Sequence, residues 1–276
     1  MKQTLKLTLY YFLYQLGTLS FFTFIYTAIQ LCSTYLETQN LVYPENGYTP
    51  PFLLTLVALV LSNLIMGWHL VHFKYIDLKQ ITCNAVSKSS YAAIIPLTLG
   101  MMLCINYITE LLQLPNINEE LFLQMKNHLT GILSIAVVAP VIEEFVFRGA
   151  IAGHLFHKWK NPWYGILLSA FVFGVIHGNP AQIPFAFILG ILLGWLYYRT
   201  GNILPCILLH FINNSISVAL MILLPESAES MTDLFGETGA PLSAIAGAVI
   251  ALYCVYYINK SAYTSPFKTI CHTNHQ

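Results

Sequence analysis

Residues 129–157 read LTGILSIAVVAPVIEEFVFRGAIAGHLFH. The run exceeds the about 20 apolar residues that a helix needs to cross a bilayer, yet Glu143, Glu144 and Arg148 lie in its middle. Hydrocarbon cannot solvate charge, so ionisable groups that persist in a spanning helix are paired or functional. Glu144 and Arg148 stand four residues apart and share a helix face, with the acid N-terminal to the base, the better order. A structural ion pair accounts for both. It leaves Glu143 without a partner. Pro140, one turn earlier, has no N–H to donate and is expected to kink the helix and free a carbonyl near the acidic pair.

The rest of the chain has the same solvent preference. It is 57% hydrophobic and 9% charged, where a soluble domain carries roughly 25% charged residues. Mean hydropathy is +0.65. A soluble fold of this composition would expose large apolar patches. Eight spans are predicted: Leu9–Cys32, Pro51–Phe73, Tyr91–Leu112, Leu129–His157, Pro162–Gly178, Ile183–Tyr198, Ile203–Leu224 and Leu242–Ile258. The fifth and sixth are short and joined by a tight turn at Asn179-Pro180-Ala181. Lipid offers the backbone no hydrogen-bond partners, so the fold class is all-α, a polytopic bundle of about eight transmembrane helices. No linker or internal repeat divides it, and one domain over residues 1–276 is expected, with its catalytic core near 129–224. No cleavable signal peptide is expected either, because the first apolar run is long enough to span and lacks a small-residue cleavage site.

Charge in the loops sets orientation. With the N-terminus inside, every basic residue but Lys126 falls on the cytoplasmic side, among them Lys2, Lys74, Lys88, Lys160, Arg199, Lys260 and Lys268. Glu37, Glu45, Glu119, Glu120, Glu226, Glu229, Asp233 and Glu237 fall on the outer side. Both termini are therefore expected in the cytoplasm, in a prokaryotic inner membrane. A net charge of 0 gives no reason to expect nucleic acid. Cys32, Cys83, Cys104, Cys206, Cys254 and Cys271 form no C-x-x-C pair and mostly sit in apolar stretches, where cysteine behaves as a small hydrophobe.

Three further polar groups interrupt the later spans: His177 at the end of the fifth, and His210 and Asn214 four apart on the seventh. Each alone reads as a satisfied core residue or interhelical glue. Depth links them. Glu143 and His177 are equidistant in sequence from Lys160, at the turn of the hairpin formed by the fourth and fifth spans. At 1.5 Å per residue both lie about 25 Å from that tip, and His210 and Asn214 lie about 13 and 20 Å beyond the turn at Gly201. The mismatch shrinks if the polar tip (His154, His157, Lys158, Lys160) protrudes. His154 and His157 could hold a metal but have no evident third ligand. His69, His72, His128, His272 and His275 read as end or tail residues. Gly190 and Gly194 form a small-xxx-small packing pattern.

Peptide hydrolysis needs an activated nucleophile and a stabiliser for the oxyanion. The zincin H-E-x-x-H and the G-x-S-x-G elbow are absent. Asp77 and Asp233 lie in loops, which excludes an intramembrane aspartate dyad. A glutamate, two histidines and an asparagine remain, a set sufficient for water-mediated amide hydrolysis with or without a metal. In this order on successive helices, Glu143-Glu144-x-x-x-Arg148, Phe173-x-x-x-His177 and His210-x-x-x-Asn214 resemble the three motifs of the CPBP family of CaaX proteases and bacteriocin-processing enzymes. Tyr198-Arg199-Thr200-Gly201-Asn202 is similar as well, and the likeness covers about 134–217. The resemblance implies that Glu143 and His177 activate water, that His210 and Asn214 form the oxyanion hole, and that Glu144 and Arg148 orient the site. It implies a peptide or protein substrate, lipidated or a bacteriocin precursor, met among membrane lipids. No cofactor is expected. Were zinc used, Glu143, His177 and His210 would be its ligands. Two rival readings are a non-catalytic immunity protein that binds a peptide, and a proton-coupled carrier. Against the carrier, no pair of broken helices recurs in two halves.

Overall fold

A computed structural model describes all residues except 1, 42, 45, 83, 226–227, 229, 262–266 and 268–276. Expectations for Glu45, Glu226, Glu229, Lys268, Cys83, Cys271, His272 and His275 therefore lie outside the described residues. The helices are α1 (Lys2–Thr38), α2 (Phe52–His72), α3 (Leu78–Thr82), α4 (Lys88–Leu111), α5 (Glu119–Met125), α6 (Leu129–Lys158), α7 (Pro162–Val175), α8 (Gln182–Thr200), α9 (Leu204–Leu223) and α10 (Met231–Lys260). Seven are long and apolar enough to cross a membrane, and no strand occurs among the described residues. The chain is an integral multi-pass membrane protein.

The fifth predicted span, Pro162–Gly178, is the 14-residue α7 and is not among these seven. At 1.5 Å per residue it covers about 21 Å, short of the hydrocarbon core. Its apolar run extends through Ile176 and the predicted span to Gly178, but the helix stops at Val175 and Gly178 takes a left-handed φ of 63°. Gly178 reaches that conformation without a Cβ clash. The following turn is anchored by Asn179, whose side chain accepts from the Ile117 N–H and donates to the Asn116 Oδ1. The α4–α5 loop thus fixes where α7 ends. The helical stretch that holds the last span starts at Met231, before Leu242, but Gly236 breaks it with a left-handed φ of 72°, so a short capped segment precedes the span itself. Ser230 and Asp233 cap that segment reciprocally, and Glu110 of α4 accepts from the Met231 and Thr232 N–H groups.

Large apolar side chains such as Phe24, Leu36, Leu129, Leu223 and Leu252 point outward, as lipid-facing residues do. Packing inside uses small residues. A methyl group added to Gly100 of α4 would sit 2.5 Å from the Gly247 carbonyl of α10, and one added to Gly247 would meet the Gly100 carbonyl at the same distance. A methyl on Gly190 of α8 would lie 2.9 Å from the Ala170 Cα of α7. Backbones approach this closely where no side chain intervenes. At the basic end the 198–202 stretch is a structural lock. Gly201 ends α8 with φ 61°, and the Asn202 amide donates to the Thr82 and Asn84 carbonyls.

Gly100→Ala and Gly247→Ala are each expected to destabilise the protein by about 1–3 kcal/mol through overpacking. Thermal unfolding in detergent should show a lowered midpoint for both. Gly17→Ala, with nothing within 4 Å of the added methyl, should leave it unchanged.

Candidate active site

Helix α6 is not a regular α-helix where its charges lie. Residues 134–138 and 145–152 are π-helical and flank one α-turn, Ala139–Glu144. Such bulges gather at functional sites. The first has a cause in the sequence. The Ala139 N–H bonds the Ser134 carbonyl, five residues back, and Pro140 has no N–H. The Ile135 carbonyl is thereby left without its helical donor, and the Asn214 side-chain amide donates to it at 2.9 Å. The kink expected at Pro140 is a π-turn, and its free carbonyl is what docks α9.

Behind this turn lies a buried charged group. Glu144 and Arg148 have no exposed surface. Arg148 donates to Glu144 Oε1 at 2.8 Å, and its other terminal nitrogen approaches the Gly190 carbonyl at 3.5 Å. The guanidinium lies 4.4 Å from the centre of the Phe173 ring, a cation–π contact. Gly190 therefore does more than permit close packing: the approach of α8 brings its carbonyl to the arginine. His210 of α9 donates from Nδ1 to the same Glu144 oxygen at 2.8 Å. Its Nε2 is then the nitrogen turned toward Glu143, 3.7 Å from Oε2.

Glu143 is 12% exposed and faces a cavity of about 370 Å³. His177, His210, Asn213 and Asn214 line the same cavity, with Phe173, Leu189 and Asn106. The four residues singled out as catalytic candidates are thus brought together. His177 belongs to the turn after α7. Its Nδ1–H donates to the Phe173 carbonyl at 2.8 Å, which leaves Nε2 as an acceptor in the neutral ring. A larger cavity of about 570 Å³ lies at the basic end and includes His154 and His157. It holds none of the candidate residues, so the chemistry is assigned to the smaller one.

Some participants were not singled out from sequence. Tyr11 of α1 reaches Glu143 Oε1 and Asn63 Oδ1, each at 3.4 Å. Nothing in the spacing of α1 marks this tyrosine among its apolar neighbours. Asn213 is buried and donates to Asn214 Oδ1 at 3.0 Å, orienting that amide, while its own Oδ1 has no partner. Its signal was present, since it lies one turn from His210 on a face that α9 buries. Of the set offered for zinc, Glu143 and His210 stand 3.7 Å apart, and no group of three or more His, Cys, Asp or Glu side chains among the described residues is arranged to share an ion.

Comparison with known proteins locates this architecture. Residues 126–216 match the family described as type II CAAX prenyl endopeptidase Rce1-like. The membrane-embedded CAAX protease MroQ of Staphylococcus aureus (strain USA300) is 28% identical over 107 residues, 37% of this chain and 43% of that protein. A Bacillus subtilis (strain 168) protein named "Putative membrane peptidase YdiL" is 30% identical over 91 residues, 33% of this chain and 37% of that one. The chain thus spans about two fifths of the length of the curated relatives it matches. No solved structure matches it significantly. The matched stretch contains Glu143, Glu144, Arg148, His177, His210 and Asn214, so the likeness falls on the same residues as the three motifs.

Proposed function

We propose that the protein is an intramembrane endopeptidase that hydrolyses a peptide bond with water, in a prokaryotic inner membrane with both termini in the cytoplasm. The observation that carries this reading is the convergence of Glu143, His177, His210 and Asn214 on one cavity, backed by an ion pair with no exposed surface. A water held between Glu143 and the free Nε2 of His177 loses a proton to this pair as its oxygen attacks the scissile carbonyl. The tetrahedral oxyanion is met by the second amide hydrogen of Asn214, whose first is taken by the Ile135 carbonyl, and by Nε2 of His210, the ring nitrogen on the Glu143 side. The C–N bond then breaks and the leaving amine takes up the proton. Glu144 and Arg148 hold His210 in place. Tyr11 holds Glu143. The likeness to a CAAX protease and to a membrane peptidase supports this chemistry over sequestration or transport. A lipidated protein or a bacteriocin precursor fits as substrate class.

The assay is cleavage of a quenched fluorescent peptide by the purified, detergent-solubilised chain. Glu143→Gln and His177→Ala are expected to abolish turnover at near-normal folded yield. Asn214→Ala should lower kcat by about 10²–10³, the usual cost of one oxyanion donor. It should also lower stability by about 1–3 kcal/mol, because the Ile135 carbonyl loses its donor. Unchanged kcat in a folded Asn214→Ala protein would remove Asn214 from the oxyanion hole. Arg148→Ala strands the Glu144 carboxylate in a dry interior, at about 3–5 kcal/mol, and its folded yield should fall along with its activity.

Metal dependence is tested separately. Turnover is expected to survive a strong chelator, with no stoichiometric zinc in the purified protein. One equivalent of zinc whose removal stops cleavage, and whose return restores it, would recast Glu143 as a ligand.

A further inference from the structure

We infer that the cavity receives its peptide from the end of the bundle opposite the lysines, so that the bond is cut on the non-cytoplasmic side of the membrane. The inference takes the protease chemistry from the preceding reading. Its direction comes from the geometry of the cavity and the distribution of charge.

Three helices show the same gradient of exposure across the cavity. On α6, Ile135, Ala139 and Glu143 recur every four residues and are partly exposed, whereas Phe147, the next on that face, is fully buried. On α9, exposure falls from Ser217 through Asn214 to the buried His210. On α8, Gln182 and Phe185 are partly exposed while Ala186 and Leu189 are buried. The cavity is therefore open where α8 begins and α9 ends. It is closed toward the other end by Phe147 and Phe173, both without exposed surface, and by the Glu144–Arg148 pair.

The open end is also the end poor in positive charge. Lys2, Lys74, Lys88, Lys158, Arg199 and Lys260 mark the opposite ends of α1, α2, α4, α6, α8 and α10. Basic residues near the ends of spans stay in the cytoplasm. The mouth then faces outward, and its rim carries the exposed Glu119 and Glu120 of α5, the helix that also contributes Phe122 to the cavity. A substrate reaching Glu143 by this route is an exported peptide, or a membrane-inserted one that offers its bond to the outer half of the bilayer. The tail of a cytosolic protein does not meet the site.

The test is labelling with a membrane-impermeant maleimide of full-length chains carrying one added cysteine, in spheroplasts and in inverted vesicles. Gln182→Cys and Ser217→Cys report on the mouth, Lys88→Cys and Lys260→Cys on the basic end. The unsubstituted chain gives the background from native thiols such as the exposed Cys32. The expected result is labelling of both mouth probes in spheroplasts and of the basic-end probes only in inverted vesicles. Labelling of all four from one side would place the mouth at the basic end and overturn the inference. So would mouth probes that react only in inverted vesicles, or from neither side. Labelling needs no turnover, so failure of the protease reading would show separately, as absence of peptide cleavage by the purified chain.

Discussion

The Glu144 carboxylate lies in a helix bundle with no exposed surface, and one of its oxygens accepts hydrogen bonds from both Arg148 and His210. A charge so placed is tolerated only when it is paired and hydrogen-bonded. That requirement constrains three helices at once. Helix α6 must present Glu144 and Arg148 on one face, α9 must bring in His210, and α8 must come close enough for the Gly190 carbonyl to approach the guanidinium. Phe173 of α7 lies against both the guanidinium and the His210 ring. The catalytic candidates project from the same helix turns, so the geometry of the cavity follows from the way the bundle neutralises this group.

The irregularity of α6 has a comparable consequence. A regular α-helix would have satisfied the Ile135 carbonyl internally and given Asn214 nothing to bond. Pro140 and the π-turn before it expose that carbonyl about two turns before Glu143. Asn214 is thereby held by a backbone group, not by a mobile side chain, and Asn213 fixes the other side of its amide. The position of His177 is also set by backbone. Its ring hangs on the Phe173 carbonyl, and its turn hangs on Asn179 and the α4–α5 loop. Rigid support of this kind is what a preorganised site needs.

Much of this was legible in the sequence because membranes punish polar groups. The spans, the Glu144–Arg148 pair and the approach of Glu143, His210 and Asn214 follow from helical spacing and from the cost of burying charge. Helix α7 was read as longer than it is. Hydropathy sees the apolar residues through Ile176, but the end of the helix is set by Gly178 and Asn179 through contacts distant in sequence. The depth estimate left Glu143 and His177 deeper than His210 and Asn214, whereas in the folded bundle all four line one cavity. Tyr11 and Asn63 were illegible for a different reason. They lie in α1 and α2, outside the stretch that resembles known enzymes, and only packing reveals that Tyr11 reaches Glu143 and Asn63 reaches Tyr11.

The same packing bears on the carrier reading. A carrier must expose its intramembrane carboxylate to each side in turn, through two arrangements of the bundle. Here the route from Glu143 to the basic end is filled by Phe147, Phe173 and the arginine, all fully buried. Opening it would pull Arg148 away from Glu144 and Gly190 and leave a charge in a dry interior. The neighbouring turns of α6 offer the guanidinium the buried apolar side chains of Val146, Ile151 and Leu155. An arginine committed to one carboxylate suits a site that holds water and a peptide bond in fixed register. It does not suit one that must alternate.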